Sequence, residues 1–135
     1  MPGVQFFDNT IEVTGAIKEA ALAFLEEAAG ELEGAAARNT RVDTTQTKGA
    51  WNHKIEESAM QAIVGNTLEN AIWEEFGTGE YALHGNGRKT PWHYQDYRGN
   101  WHTTKGKRAS RAFEKARTET EPKIVQAAKD KFGSL

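Results

Sequence analysis

The first third of the chain carries apolar residues at every third or fourth position from Thr14 to Arg38, which is the spacing of an α-helix. This stripe consists of Ile17, Ala21, Phe24, Leu25, Ala28 and Leu32. Glutamates occupy most of the remaining face, and the Thr14 hydroxyl can cap the first turn. The mixed residues 1–13 fit either a short strand or the approach to the helix. The pattern predicts one long N-terminal helix with an alanine-rich packing face.

After this helix the pattern changes to short segments. Asn39–Lys48 is polar and rich in threonine, which is typical of a linker. Two short strands are then predicted at Trp51–Ile55 and Ala59–Val64, because apolar and polar residues alternate there. Gly65-Asn66 is predicted to form the turn that follows the second strand.

Helical spacing returns at Leu68–Phe76, and Gly77 is expected to end that helix, because glycine commonly occupies the position just past a helix end. Residues 77–108 form a long segment rich in glycine and aromatic residues. We expect this segment to extend from the rest of the protein as a loop or hairpin.

Within the long segment, Trp92–Asp96 and Asn100–Thr104 fit the two arms of a β-hairpin. Gly99 can supply the positive φ that a three-residue turn needs. Four aromatic residues in ten positions are too many for an exposed loop of a solitary monomer, because Trp and Tyr are enriched at interfaces. The hairpin is therefore expected to fold back on the core, to enter a partner subunit, or to form a ligand platform.

The last segment, residues 109–132, is again helical in spacing, although Pro122 should break or kink it or begin a new helix. The order of helix, strands, short helix, hairpin and helix predicts an α+β fold. We expect one domain over residues 1–135, with N-terminal and C-terminal helices packed on a small, mainly antiparallel sheet.

Charge is distributed unevenly along the chain. Residues 1–80 contain 14 acidic and 5 basic residues, whereas residues 81–135 contain 5 acidic and 12 basic residues. The two halves can neutralise each other within one monomer, or the basic face of one subunit can meet the acidic face of the next. Contacts of the second kind close into rings when the rotation permits.

Several function classes are disfavoured by what the sequence lacks. The absence of cysteine removes disulfides, thiolate metal sites and a thiol nucleophile. No apolar run is long enough for a membrane span, and the start of the chain does not fit a secretory signal. We expect a protein that is made in the cytoplasm of its host and has no membrane partner.

The histidines and the paired carboxylates are the residues that could bind a metal ion or catalyse a reaction. His84, His93 and His102 lack a local ligand spacing, and 93 and 102 would share a face only in one hairpin register. The pairs Glu56-Glu57 and Glu74-Glu75 diverge on either a strand or a helix, which favours solvated faces. No nucleophile elbow or Walker lysine occurs. We therefore predict no enzyme, no catalytic or metal site and no cofactor.

Basic residues interleave with the aromatic residues of the long segment, which is typical of a contact surface. The candidates for an assembly interface are Tyr81, Trp92, Tyr94, Tyr97, Trp101, Arg88 and Lys105. The same residue types can stack sugars or single-stranded nucleic acid. A small binding module for carbohydrate or single-stranded nucleic acid is therefore the alternative function, although an isoelectric point near 6.1 disfavours a free-standing nucleic-acid binder.

The run from Val64 to Gly79 resembles a bacteriophage family in which a Val-Gly strand end leads into a helix that ends in Glu-Phe-Gly-Thr. The members are head–tail connector and tail-completion proteins of siphophages. The signature residues in this chain are Trp73, Glu75, Phe76, Gly77, Thr78 and Gly79. Asn70 and Arg111 depart from the tyrosine and the proline that the family usually has at these positions.

The resemblance implies a non-enzymatic structural protein of the virion neck at the top of the tail. Such a protein forms an oligomeric ring, with six copies expected, as a tail terminator or a stopper. Its other partners would be the connector or stopper and tail-tube proteins. DNA would pass through the lumen of the ring without being bound specifically.

Overall fold

The computed structural model describes residues 3, 7–41, 48–68 and 70–135. Helix α1 (Thr10–Asn39) is followed by strands β1 (Trp51–Glu56) and β2 (Gln61–Asn66), helix α2 (Ala71–Phe76) and a 3-10 turn at Gly79–Tyr81. Strands β3 (Trp92–Gln95) and β4 (Trp101–Thr104) precede helix α3 (Ala112–Gly133). The predicted α+β fold with long terminal helices is confirmed.

The two long helices form an antiparallel pair. Phe24 contacts Phe132 near one end, with ring centroids 6.0 Å apart, and Arg38 contacts Glu119 near the other. The fully buried hydrophobic side chains of the described residues are all alanines, at positions 20, 29, 35, 36, 112, 116 and 127. Small side chains let the two helix backbones approach closely, but the core that results is thin. The buried alanines of α1 are not those of the predicted stripe, in which Ala21 and Ala28 are half-buried and Ile17 is exposed.

A second layer packs along α1, from Thr40 at its C-terminal end, which contacts Trp51, to Lys18, which pairs with Glu57 in the turn after β1. β1 and β2 pair antiparallel, with Trp51 opposite Asn66, and the strands pack on α1. The Trp51 ring stacks on Phe113 at 5.7 Å, and its Nε1 donates a hydrogen bond of 2.7 Å to Thr40 Oγ1. Trp51 thus connects the sheet to both long helices.

The predicted small antiparallel sheet is the β1–β2 ribbon, and β3–β4 forms the separate predicted hairpin. The predicted turn at Gly65-Asn66 is wrong, because both residues belong to β2 and pair with Asn52 and Trp51. The chain reverses earlier, between Glu56 and Gln61.

The helix boundaries need further corrections. α1 begins at Thr10 rather than at Thr14, and Asp8 Oδ1 accepts hydrogen bonds from the backbone and hydroxyl of Thr10. α2 begins at Ala71, three residues later than predicted. Pro122 lies inside an uninterrupted α3. Its face is exposed, so the carbonyl of Thr118, which loses a helical partner there, lies on the solvent side.

The N-terminal segment and the linker were predicted over residues that are only partly described. Residues 10–13 belong to α1 rather than to a strand, and residues 4–6 lie outside the described part of the chain. In the predicted linker, Asn39 ends α1 and residues 42–47 lie outside the described residues.

Candidate assembly interface

The Glu-Phe-Gly-Thr signature lies where α2 ends and the long segment begins. Gly77 ends α2 with a φ of 79°, as predicted, and its backbone N–H donates to the carbonyl of Trp73. Beyond it, Thr78 N donates to Lys107 O at 2.9 Å, and Glu80 N donates to Lys105 O at 3.0 Å. The Thr78 hydroxyl accepts from Lys107 N at 2.8 Å. These bonds join residues 78–80 to residues 105–107, and we call this contact the arm base and residues 81–104 the arm.

The arm base depends on glycine. Gly79 has a φ of 61°, and a Cβ there would overlap the carbonyl oxygen of Lys105. Gly106 has a φ of 119°, and its Cβ would overlap the carbonyl oxygen of Thr78. A Cβ on Gly87 would in turn overlap the carbonyl of Gly79. Three stretches of backbone therefore cross in direct contact, which only glycine permits at these positions.

The two glutamates before Phe76 anchor the arm base to the second half of the chain. Glu75 Oε1 accepts a 2.7 Å hydrogen bond from Phe113 N in the first turn of α3, so this carboxylate caps the C-terminal helix. Glu74 Oε1 lies 2.6 Å from Lys107 Nζ. Both carboxylates are largely buried, with 13% and 14% of their side-chain surfaces exposed. The prediction that this pair forms a solvated face is wrong.

The aromatic members of the signature differ in burial. Phe76 is half-buried between the His84 ring at 5.3 Å and the Arg111 guanidinium at 5.2 Å. Trp73, which could have wedged into the core, is instead 56% exposed. Arg111 has a φ of 56°, which proline cannot adopt. The proline that is usual in the family the sequence resembles could therefore not take this backbone conformation.

The arm itself ends in the predicted hairpin. Gly99, with a φ of 86°, closes the turn, and Asp96 Oδ1 accepts from the backbone N–H groups of Arg98 and Asn100. The register pairs Trp92 with Thr104 and Gln95 with Trp101. Because side chains alternate along a strand, Trp92 and Trp101 lie on opposite faces. The two tryptophans therefore do not form one stacking platform.

Most of the aromatic interface candidates are exposed. Tyr97 is 89% exposed, Trp101 70% and Tyr94 46%, although Tyr94 stacks on His102. Trp92 and Tyr81 are partly covered, each by an arginine: Arg88 lies 5.8 Å from the Trp92 ring and Arg108 lies 4.5 Å from the Tyr81 ring. The hairpin aromatics are not folded back on the core, which leaves a partner or a ligand as the reason for their exposure.

The arm is also cationic. The arm contains three basic residues and one acid, and the neighbouring Lys105 of the arm base adds a fourth cation: Arg88, Lys89, Arg98, Asp96 and Lys105. Within the described part of the chain, no carboxylate lies within 4.0 Å of these four cations. The side chains of Arg88 and Arg98 make only neutral hydrogen bonds and ring contacts. Lys105 contributes its backbone carbonyl to the arm base, and its side chain is exposed.

Outside the arm, the acidic and basic halves of the chain neutralise each other within the monomer. Lys107 pairs with Glu74, Lys123 with Glu31 and Lys131 with Glu27. These contacts support the intramolecular explanation of the charge asymmetry for the body of the protein. The arm retains unpaired positive charge.

The three histidines of the metal hypothesis have separate partners. His93 Nδ1 lies 2.7 Å from Thr103 Oγ1, His102 Nε2 lies 2.7 Å from Asp96 Oδ2, and His84 packs on Phe76. The register places 93 opposite 103 and 94 opposite 102, so His93 and His102 point to opposite faces. Over the described ranges, no cluster of three or more His, Asp or Glu side chains could hold a metal ion.

His53, which the sequence did not single out, connects β1 to α1. Its Nε2 lies 2.8 Å from Glu26 Oε1, and its Nδ1 lies 3.5 Å from Glu33 Oε2. The hydrogen bond with Glu26 raises the pKa of His53 above its ordinary value, against a smaller opposing effect of burial. Glu26 and Glu33 are two turns apart and lie on the same face of α1. This spacing was the sequence signal that a basic side chain could bind between them.

His53 should make the stability of the sheet–helix contact depend on pH. Because its pKa is raised on folding, its contribution is fully present below the unfolded value near 6.5 and is lost as the pH rises through the raised folded value. We expect the difference in unfolding free energy between wild type and His53→Gln to shrink over that interval, measured by urea denaturation. The Glu26→Gln background should remove most of the pH dependence. A difference that is constant from pH 5 to 9 would contradict this role.

An apolar surface adjoins the arm base. A groove of about 320 Å³ lies between β2, α2 and the start of α3, and a second groove beside it reaches His84. Ile72 and Trp73, which separate the two, are both more than half exposed. Helix α2 therefore presents its outer face without cover from the described residues around it.

Comparison with known proteins adds no relative to this description: neither family models nor curated proteins nor solved structures give a match. Among the described residues, no helix has the length and apolar character required to cross a membrane.

Proposed function

We propose that this protein is a structural subunit of a siphophage neck that joins head and tail as one copy of an oligomeric ring, expected to be hexameric. Its neighbours would be further copies of itself, a connector or stopper and the tail-tube protein, with DNA passing through the lumen without specific binding. The observation that carries the proposal is the exposed aromatic and cationic arm, held at its base by the residues of the Glu-Phe-Gly-Thr signature.

Exposed hydrophobic side chains support an assembled state. Among the described residues, Ile11, Trp73, Tyr97 and Trp101 are each more than half exposed. Large hydrophobic side chains that cluster at the surface mark contact sites in folded proteins. A standard interface covers about 800 Å² on each partner, and a subunit in a ring has two neighbours.

The arm's construction supports a role in contact rather than catalysis. Its strands present aromatic residues on both faces, and the base that holds them is built from backbone hydrogen bonds and glycines. Such a device positions a contact surface at a fixed place beyond the body. An arm inserted between neighbouring subunits would bury both of its faces, whereas a ligand platform needs only one.

The decisive experiment replaces residues 88–104 by a short Gly/Ser linker and leaves the arm base intact. Because the arm contributes little to the buried core, the variant should fold, with a helical circular-dichroism spectrum close to wild type. It should fail to join heads to tails when it is supplied to particles assembled without this protein, while wild type restores infectious phage. Glu121→Lys, at an exposed position of α3 outside the arm, serves as the control and should restore joining.

Normal joining by the arm-replaced variant would sink the arm's role. Restoration of infectivity in the complete absence of the chain would sink the proposed function as a whole. Binding of single-stranded DNA or an oligosaccharide that depends on Trp101, with joining unaffected by the arm replacement, would favour the binding-module alternative.

A further inference from the structure

The end of the helix pair opposite the arm base carries a second uncovered surface. Along the first turns of α1, every residue from Ile11 to Glu19 is exposed. Ile11, Val13 and Ile17 are 85%, 53% and 48% exposed. A groove of about 450 Å³ lies between them and the end of the described chain, lined by Val13, Ala16, Ile17, Ser134 and Leu135. We call residues 7–19 with this groove the helix-end surface.

The helix-end surface is acidic as well as apolar. Asp8, Glu12 and Glu19 face one lysine, Lys18, which is already paired with Glu57. Hydrogen bonds from Thr10 hold the pKa of Asp8 below its usual range, so this carboxylate is charged at neutral pH. On α3 at the same end, Lys131 pairs with Glu27, and Lys129 and Asp130 add one charge of each sign.

The arm and the helix-end surface lie at opposite ends of one molecule. Arg41 donates to the carbonyl of Arg108, which places the arm base beside the C-terminal end of α1. From Ile17 to Asn39 the helix rises about 33 Å. The arm base therefore lies roughly 30 Å along α1 from the helix-end surface of its own chain.

We propose that the arm of one copy docks on the helix-end surface of the next copy, so that the chain assembles head to tail. The exposed rings of Tyr97 and Trp101 would cover Val13 and Ile17, and the unpaired cations of the arm would meet the unpaired carboxylates of α1. The charges favour a second copy of this chain as the partner, because the arm is basic and the helix-end surface is acidic, and both expose hydrophobic side chains.

A contact between two different surfaces of identical chains repeats with every added copy, and it closes into a ring when the rotation permits. This contact would join the subunits of the proposed ring. Only the closure into a ring rests on the proposed function. The head-to-tail contact itself can be tested with the purified chain alone.

The absence of native cysteine makes cross-linking a clean test. Glu12→Cys and Arg98→Cys are made as separate chains and treated with a short bismaleimide, singly and mixed. The mixture should give a covalent dimer of the two variants, and a chain with both substitutions should give a ladder of higher oligomers. Glu121→Cys, at an exposed position along α3, is the matched control and should give no ladder with Arg98→Cys.

Charge reversal tests the electrostatic part. Glu12→Lys with Glu19→Lys, or Lys89→Glu with Arg98→Glu, should weaken self-association on the order of tenfold in sedimentation equilibrium at low salt, because like charges then face each other. Mixing the two reversed chains should restore association between them. Glu121→Lys should leave it unchanged.

Three results with the purified chain would overturn the contact. They are cross-linking of Glu12→Cys chains to one another in preference to Arg98→Cys, failure of the two reversed chains to associate, and a wild-type chain that does not self-associate in sedimentation equilibrium at about 100 µM. Normal head–tail joining by the Glu12→Lys, Glu19→Lys chain would reject this contact and leave the proposed function standing. Head-to-tail cross-linking by a chain that is dispensable for head–tail joining would support this contact and reject the proposed function.

Discussion

Gly79→Ala is expected to lower the free energy of unfolding by roughly 2–5 kcal/mol. A residue with a side chain at a φ of 61° costs about 1–2 kcal/mol, and forcing a methyl group into an occupied site costs about 1–3 kcal/mol more. The atom it meets is the backbone carbonyl of Lys105, which cannot rotate away as a side chain could. The measurement is urea denaturation followed by circular dichroism.

Gly85→Ala is the matched control for this prediction. Its φ of 67° is nearly the same, but a Cβ there meets nothing within 4 Å. It should show the conformational cost alone, about 1–2 kcal/mol. Equal losses for the two variants would mean that the crossing at the arm base contributes nothing to stability. A larger loss for Gly79→Ala, with limited proteolysis accelerated within the arm, would support the base as the arm's anchor.

The sequence predicted the elements whose formation depends on neighbours along the chain. The three-to-four spacing of apolar residues located both long helices, and the glycines at 77 and 99 were assigned correctly to a helix end and a hairpin turn. These features are local, since they depend on the period of the side chains and on the φ that a residue can adopt. The signature, too, was visible in the sequence as a resemblance.

The errors arose where distant segments decide the outcome. Gly65-Asn66 has the composition of a turn, yet pairing with β1 holds it in a strand. Pro122 has no effect on continuity because α3 packs along α1 on its other faces. Tertiary packing of this kind overrides local preference.

The hairpin could be predicted from the sequence, but the exposure and contacts of its residues could not. Tyr97 and Trp101 were correctly singled out as residues of the hairpin, but their exposure depends on how far the arm stands from the core. Glu74 and Glu75 were assigned to solvent because their basic and backbone partners lie more than thirty positions away. No periodicity in the sequence encodes that approach, which follows from the way the arm base brings residues 105–113 back to α2.

Glu75→Ala tests whether the signature joins the two halves of the fold. The substitution removes the acceptor of Phe113 N at the start of α3 and leaves Arg111, now 3.7 Å from the carboxylate, without its charge partner. A hydrogen bond to a charged group contributes roughly 1.5–3 kcal/mol, and we expect a loss of about this size in urea denaturation. Glu75→Gln keeps an oxygen acceptor without the charge and should lose about half as much.

Amide hydrogen exchange tests whether Glu75 also holds the arm base in place. Because Glu75 is largely buried at the arm base, its loss should loosen the start of α3 and the arm together, which amide hydrogen exchange would detect as faster exchange at Phe113 and Lys107. Glu114→Ala is the control, since that carboxylate also lies in the first turn of α3 but pairs with Arg117 at the surface. If Glu114→Ala destabilised the protein as much as Glu75→Ala, the glutamate of the signature would be an ordinary helix-end charge. If exchange at Phe113 and Lys107 becomes faster only in Glu75→Ala, the glutamate of the signature holds the start of α3 and the arm base together.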